Sequence, residues 1–115
     1  MNTLPFPILK NAQRTFPIQI VWQDVIRLNG DRNYTVVVLA NGKKHTSTKT
    51  LGMYKPHLPQ SLIRVHKQCI INQNFIADYN VSTHCIILTD GTTVKIARRR
   101  WKDVKVMLKA ILKPQ

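Results

Sequence analysis

The chain has no glutamate at all: its five acidic residues are aspartates, set against eighteen lysines and arginines. With carboxylates so few and so scattered, a paired acid–base site has little to be built from, and an enzyme is not expected. Two cysteines, Cys69 and Cys85, each lie in an apolar run. They make no disulfide framework and have no cysteine or histidine at zinc-site spacing, so both read as reduced, buried thiols. His45, His57, His66 and His84 are far apart, and the four glycines form no phosphate-binding loop, so neither a metal nor a cofactor is expected. No apolar run approaches the length of a membrane span. Pro5, Pro7 and Pro17 interrupt the leading segment where a signal peptide would need continuous apolar residues, which makes the cytoplasm the default location.

The abundant feature is positive charge. A formal +13 over 115 residues exceeds what solubility requires and raises self-repulsion, which points to a polyanionic partner. Nucleic acid is the first candidate and an anionic membrane surface the second. The length fits one domain with one modest core. Residues 1–15 read as an N-terminal tail or linker, since three of the six prolines fall by Pro17 and no steady periodicity is present. Residues 16–115 read as the domain.

Along that domain the pattern is mainly β. Ile18 to Leu28 suggests two short strands broken near Gln23 and Asp24, followed by a turn over Asn29 to Asn33. Tyr34 to Leu39 has the strongest strand propensity, and Asn41-Gly42 returns it onto Lys43 to Thr48. Thr50 is placed to cap a short helix over Leu51 to His57 that turns Leu51, Tyr54 and Leu58 to one face, with Pro59 stopping it. Ala77 to Val81 and Cys85 to Leu88 flank a polar turn, and Asp90-Gly91 closes a second hairpin onto Thr93 to Ala97. The last element has a clear helical pattern: Trp101, Val104, Leu108 and Ile111 share one face, while Lys102, Lys105, Lys109 and Lys113 form a basic stripe on another. Antiparallel sheets with short helices and a C-terminal basic amphipathic helix are the expected fold.

The stretch Leu62 to Ile76, LIRVHKQCIINQNFI, interleaves core-type and contact-type residues. Leu62, Ile63, Val65, Cys69, Ile70 and Ile71 suit burial, while Arg64, His66, Lys67 and Gln68 have charge or hydrogen-bonding capacity to present. Asn72 to Phe75 reads as a single turn. Elsewhere the basic and polar residues gather at strand ends and turns: Arg32 and Asn33, and Arg98, Arg99 and Arg100 where the last helix begins. Arginine's planar fork suits guanine in the major groove, whereas lysine meets phosphates without reading sequence. Three arginines at a helix start oppose the macrodipole, a cost that a bound polyanion would relieve.

These residues, taken in order, resemble the LytTR DNA-binding domain family from about Phe16 to Leu112. The specific parts are Arg64-Val65-His66 followed by Ile71-Asn72, and the TDGTTVKIARRR hairpin entering the basic helix. The resemblance implies compact antiparallel sheets whose loops, rather than a recognition helix, enter the major groove. It further implies a bacterial transcription regulator binding double-stranded DNA at direct repeats, often as a homodimer, with a receiver domain or a separate signalling partner. Carried over residue by residue, the base-proximal positions fall on Tyr34, Lys67 and Arg98. Arg32, Asn33, Arg64, His66, Arg99, Arg100 and Lys102 complete the expected DNA-binding set. Ala97 stands where a serine is common in the family, removing one possible phosphate-binding hydroxyl. His66, beside Val65, is open to packing inward against backbone or to facing phosphate. Two other readings compete: a small β-rich RNA-binding module, poorly supplied with stacking surfaces by two Trp, three Tyr and three Phe, and a protein- or membrane-surface module using the basic helix.

Overall fold

Two short strands, Leu9–Lys10 (β1) and Pro17–Ile18 (β2), pair antiparallel ahead of the main body. The computed structural model describes residues 9–10, 17–18 and 21–111. The expected tail over 1–15 therefore lies outside the described residues except at β1. After a 3₁₀ turn at Trp22–Asp24 come Val25–Asp31 (β3), Tyr34–Leu39 (β4) and Lys44–Ser47 (β5). Leu51–Tyr54 (α1) follows, then Leu62–His66 (β6), Cys69–Asn72 (β7), Ile76–Asn80 (β8), Cys85–Leu88 (β9), Thr93–Lys95 (β10) and Arg98–Ile111 (α2).

The sheets are antiparallel throughout: β5-β4-β3-β7-β6 forms a five-stranded sheet and β10-β9-β8 a three-stranded one. The larger sheet is apolar on both faces. One face, with Leu28, Val37, Leu62 and Ile70, packs with Trp22, Leu51 and Tyr54. The other, with Ile26, Val65, Cys69 and Ile71, packs on Ile86, Leu88, Val94 and Ile96 and on Val104 and Leu108 of α2. Alternate side chains on a strand point to opposite faces. The mixed look of Leu62 to Ile76 thus comes from a hairpin that serves two cores.

Among the described residues, Asn72 is one of three buried polar residues, with Thr35 and Ser47, and is buried completely. Its Nδ2 donates to the Val25 carbonyl at 2.9 Å and its Oδ1 accepts the Asn74 amide at 2.9 Å. It ties β3 to the single turn at Gln73–Phe75, and its own buried amide is thereby paired at both ends.

Several boundaries differ from expectation. Asn29 to Asp31 are not a turn: β3 continues through Asp31 and only Arg32 and Asn33 form the bend. Gly30 lies close under α1 instead: a Cβ there would lie 3.1 Å from the Leu51 Cδ1, so the leucine would have to give way. The helix expected over Leu51 to His57 is α-helical only to Tyr54 and is 3₁₀ over Lys55–His57. Pro56, lacking an N–H, cannot continue the α ladder. Thr50 occupies the N-cap position but makes no side-chain cap bond. In α2, Val104 and Leu108 are buried, whereas Ile111, expected on the same face, is exposed. Ile111 closes the last described turn of α2, after Leu108, the last helix residue in the core. Lys113 of the expected basic stripe lies outside the described residues.

Candidate nucleic-acid interface

Two hairpin tips meet on one surface. The β3–β4 tip bends at Arg32, whose φ of 57° lies in the left-handed region that non-glycine residues rarely adopt. The β6–β7 tip bends at Lys67 and Gln68. The Gly30 amide donates to the Gln68 carbonyl at 2.8 Å, fixing one tip to the other. A depression of about 200 Å³ lies between them, lined by Gly30, Arg32, Tyr34, Arg64, Lys67 and Gln68 and by Thr50 to Gly52. Thr50 to Gly52 are held there because Thr35 Oγ1 donates to the Lys49 carbonyl at 2.6 Å, while Ser47 Oγ accepts the Lys49 amide at 3.1 Å.

Four residues singled out from the sequence, Arg32, Tyr34, Arg64 and Lys67, therefore share this one depression. They present different chemistry. Arg32 and Lys67 are exposed, and Tyr34 is 49% exposed despite its size. Arg64 is half-buried and turned inward on its own hairpin: its Nε donates to the His66 carbonyl at 3.4 Å and its Nη2 to the Lys67 carbonyl. The guanidinium thus holds the turn that displays Lys67. Asn33 is exposed in the first bend but does not line the depression.

His66 does not pack inward. It is exposed, and its Nδ1 accepts the Gln68 amide at 3.2 Å. An accepting Nδ1 leaves the proton of the neutral ring on Nε2, which is then a donor. The side chain lies on the opposite flank of the Lys67–Gln68 tip from the depression, in a cleft shared with Arg27 and Lys95.

The start of α2 is brought to the same hairpin by backbone. The Ala97 amide donates to the Val65 carbonyl at 2.8 Å, so Arg98 follows directly from a residue bonded to β6. One residue earlier, the Ile96 amide donates to the His84 carbonyl at 2.8 Å, and the His84 ring stacks on Trp101 with centroids 4.2 Å apart. Arg98 and Arg99 are exposed, and Arg100 shares a separate hollow with Arg64, Lys55 and Ile63. No acidic residue occupies the first turn, so three guanidinium groups stand at the positive end of the helix dipole, where a nearby anion is favoured. Lys102 is exposed on the next turn and joins none of these hollows.

Gln68, a contact-type residue of the Leu62 to Ile76 stretch but outside the expected DNA-binding set, lines the depression, and so does Thr50. Gln68 carried a local signal, since it sits at the polar tip between two apolar strands. Thr50 carried none, because its placement depends on the distant Thr35 contact. Arg27 was hidden within an apolar strand pattern. Among the described residues, no cluster of histidine, cysteine and acid is arranged to hold a metal, and no helix is long and apolar enough to cross a membrane.

Comparison with known proteins adds three findings. The sequence model described as the LytTr DNA-binding domain matches residues 14–109. The chain is similar to transcriptional regulatory protein LytR of Staphylococcus aureus: 26% identity over 93% of this chain and 48% of the bovine RF122 / ET3-1 protein, and 27% over 85% and 44% for strain N315. It spans about half the length of these curated relatives. Its fold is similar to the LytTr DNA-binding domain of a putative methyl-accepting/DNA response regulator from Bacillus cereus, with a TM-score of 0.72, 21% identity, and coverage of 96% of this chain and 98% of that one.

Proposed function

The chain belongs to the LytTr DNA-binding domain family, and we propose that it reads duplex DNA through the two joined hairpin tips and the start of α2. The observation that carries this reading is the gathering of Arg32, Tyr34 and Lys67 around one depression from two distant hairpins. Lys67 and Tyr34 contact base edges from the depression, and Arg98 does so from the adjoining helix start. Arg32, Asn33, Arg99, Arg100 and Lys102 meet phosphates, which position the domain without specifying sequence. Arg64 acts through the turn that carries Lys67. The major groove, about 12 Å wide, admits such tips.

The domain is non-enzymatic and serves a bacterial transcription regulator in the cytoplasm, where the DNA is. It binds direct repeats, as a homodimer on the DNA, and a receiver domain or separate signalling partner controls it. The family does not favour the RNA-binding or membrane-surface alternatives. Selection of bound sites from random duplex DNA tests this reading: a repeated motif of fixed spacing is the expected result, and failure to enrich any motif would overturn it. With about six phosphates neutralised, log affinity should fall against log salt with a slope of roughly −5.

A further inference from the structure

Beside the paired tips, a cleft of about 320 Å³ opens between the two sheets. Arg27, Asn29, His66 and Gln68 line it from the larger sheet, and Thr93 and Lys95 from β10. No carboxylate is among its lining residues. Arg27 stands opposite Ile71 in the β3–β7 ladder, well inside the sheet rather than at a turn. Its Nε is buried and has no hydrogen-bond acceptor. Arg27 thus keeps its full charge while half-removed from water, a cost that an anion lying in the cleft against the rest of its guanidinium would offset. Asp90, which feels the Arg27 charge, is engaged in its own turn, where its carboxylate accepts the Thr92 amide at 2.9 Å.

We propose that this cleft is a phosphate site, with Arg27 and Lys95 as its cations and the His66 Nε2–H as a further donor. Strands from two sheets bring these residues to one cleft, and Gln68 and Asn29, which carry side-chain amides, line it too. Arg27 provides a planar, permanently charged fork suited to phosphate oxygens. The cleft and the depression share Gly30 and Gln68, so they are the two flanks of a single tip. A tip lodged in a groove has a phosphate strand alongside it, and the cleft lies on that flank. The phosphate is either part of the bound duplex or carried by a small molecule. The first source rests on the proposed DNA-reading function and the second does not.

The test has two arms on the whole chain. In the first, inorganic phosphate is titrated while the Arg27 Nε–H resonance is followed by nitrogen-15 NMR. A saturating shift that is lost in Lys95→Gln, and not reproduced by chloride at equal ionic strength, identifies a free-phosphate site. In the second, backbone phosphates of a selected duplex are replaced singly by neutral methylphosphonates. At one position, neutralisation should weaken the wild-type chain about tenfold while leaving Lys95→Gln unaffected, and Lys109→Gln should keep the full penalty. The salt slope of Lys95→Gln should be shallower by about 1. A positive result in either arm sustains the site and names its source. Sequence-selective DNA binding with neither result overturns the site alone. If the wild-type chain binds no duplex, the DNA reading fails and the phosphate titration still decides the cleft.

Discussion

Gly30 and Gln68 lie far apart in the chain, yet the amide of the first donates to the carbonyl of the second at 2.8 Å. That contact joins the hairpin tip bearing Arg32 and Tyr34 to the tip bearing Lys67. The glycine also lets α1 close over the sheet, since a Cβ at position 30 would stand 3.1 Å from Leu51 Cδ1 and 3.7 Å from Gln68 Cα. Gly30→Ala should therefore lose about 1 kcal/mol in urea denaturation through overpacking and weaken sequence-selective binding more than random-duplex binding. Lost stability with unchanged selectivity would show that the junction of the tips does not govern reading.

Arg32 holds a left-handed backbone conformation at φ 57° although it is not glycine. Such a conformation costs a non-glycine residue on the order of 1 kcal/mol or more. Arg32→Gly should leave folding stability unchanged or raise it by up to about 1 kcal/mol while lowering DNA affinity and making the salt slope shallower by about 1. Tighter DNA binding by the variant would remove Arg32 from the interface.

Readers and positioners should separate by mutation. Arg98→Ala and Lys67→Ala are each expected to cost about 1 to 3 kcal/mol on the best site and less on random duplex. Lys102→Ala should weaken both about equally. Arg64→Ala should resemble Lys67→Ala in selectivity, because its guanidinium donates to the His66 and Lys67 carbonyls. Affinities measured on a selected and a scrambled duplex decide the matter. Identical profiles for Arg98→Ala and Lys102→Ala would contradict the division.

Cys69 supplies a pH dependence. Burial pushes its thiol from an ordinary 9.0 up to about 11, with the Arg27 charge acting the other way. Between those values the unfolded chain gives up the thiol proton and the folded chain keeps it, so this contribution is complete below pH 9 and is lost as pH rises towards about 11. Denaturation midpoints should fall across that window more steeply for the wild-type chain than for Cys69→Ala. Folded Cys69 should also react slowly with alkylating reagents at pH 8, since only the thiolate attacks. Equal pH slopes for the two proteins would contradict the assignment.

Local chemistry made much of the fold legible. Asn41-Gly42 and Asp90-Gly91 marked two hairpins that form the same turn, with glycine φ of 87° in each. In both, the glycine amide returns to the last strand residue, Leu39 or Leu88, at 2.9 Å. Tyr34 to Leu39 is a strand over those very residues, and the periodicity ending the chain is α2. The Asn29 to Asn33 segment misled because glycine serves both bends and close approaches, and only the position of Leu51 distinguishes them. Candidate contact residues were visible as types at turns. Their grouping was not, since Arg32 and Lys67 meet through the β3–β7 pairing, which no local pattern encodes. Asn72 shows the same limit: it belongs to a recognisable motif, but its buried bond to Val25 crosses 47 residues.

The central claim is that one face, made by the two tips and the start of α2, meets DNA. Amide chemical-shift mapping on titration with a selected duplex addresses it most directly. The largest shifts are expected at Gly30, Arg32, Tyr34, Thr50, Lys67, Gln68 and Arg98, with little change around Val81 or Val106. Shifts concentrated on the β8–β9 turn or on the exposed side of α2, leaving the paired tips still, would contradict the account.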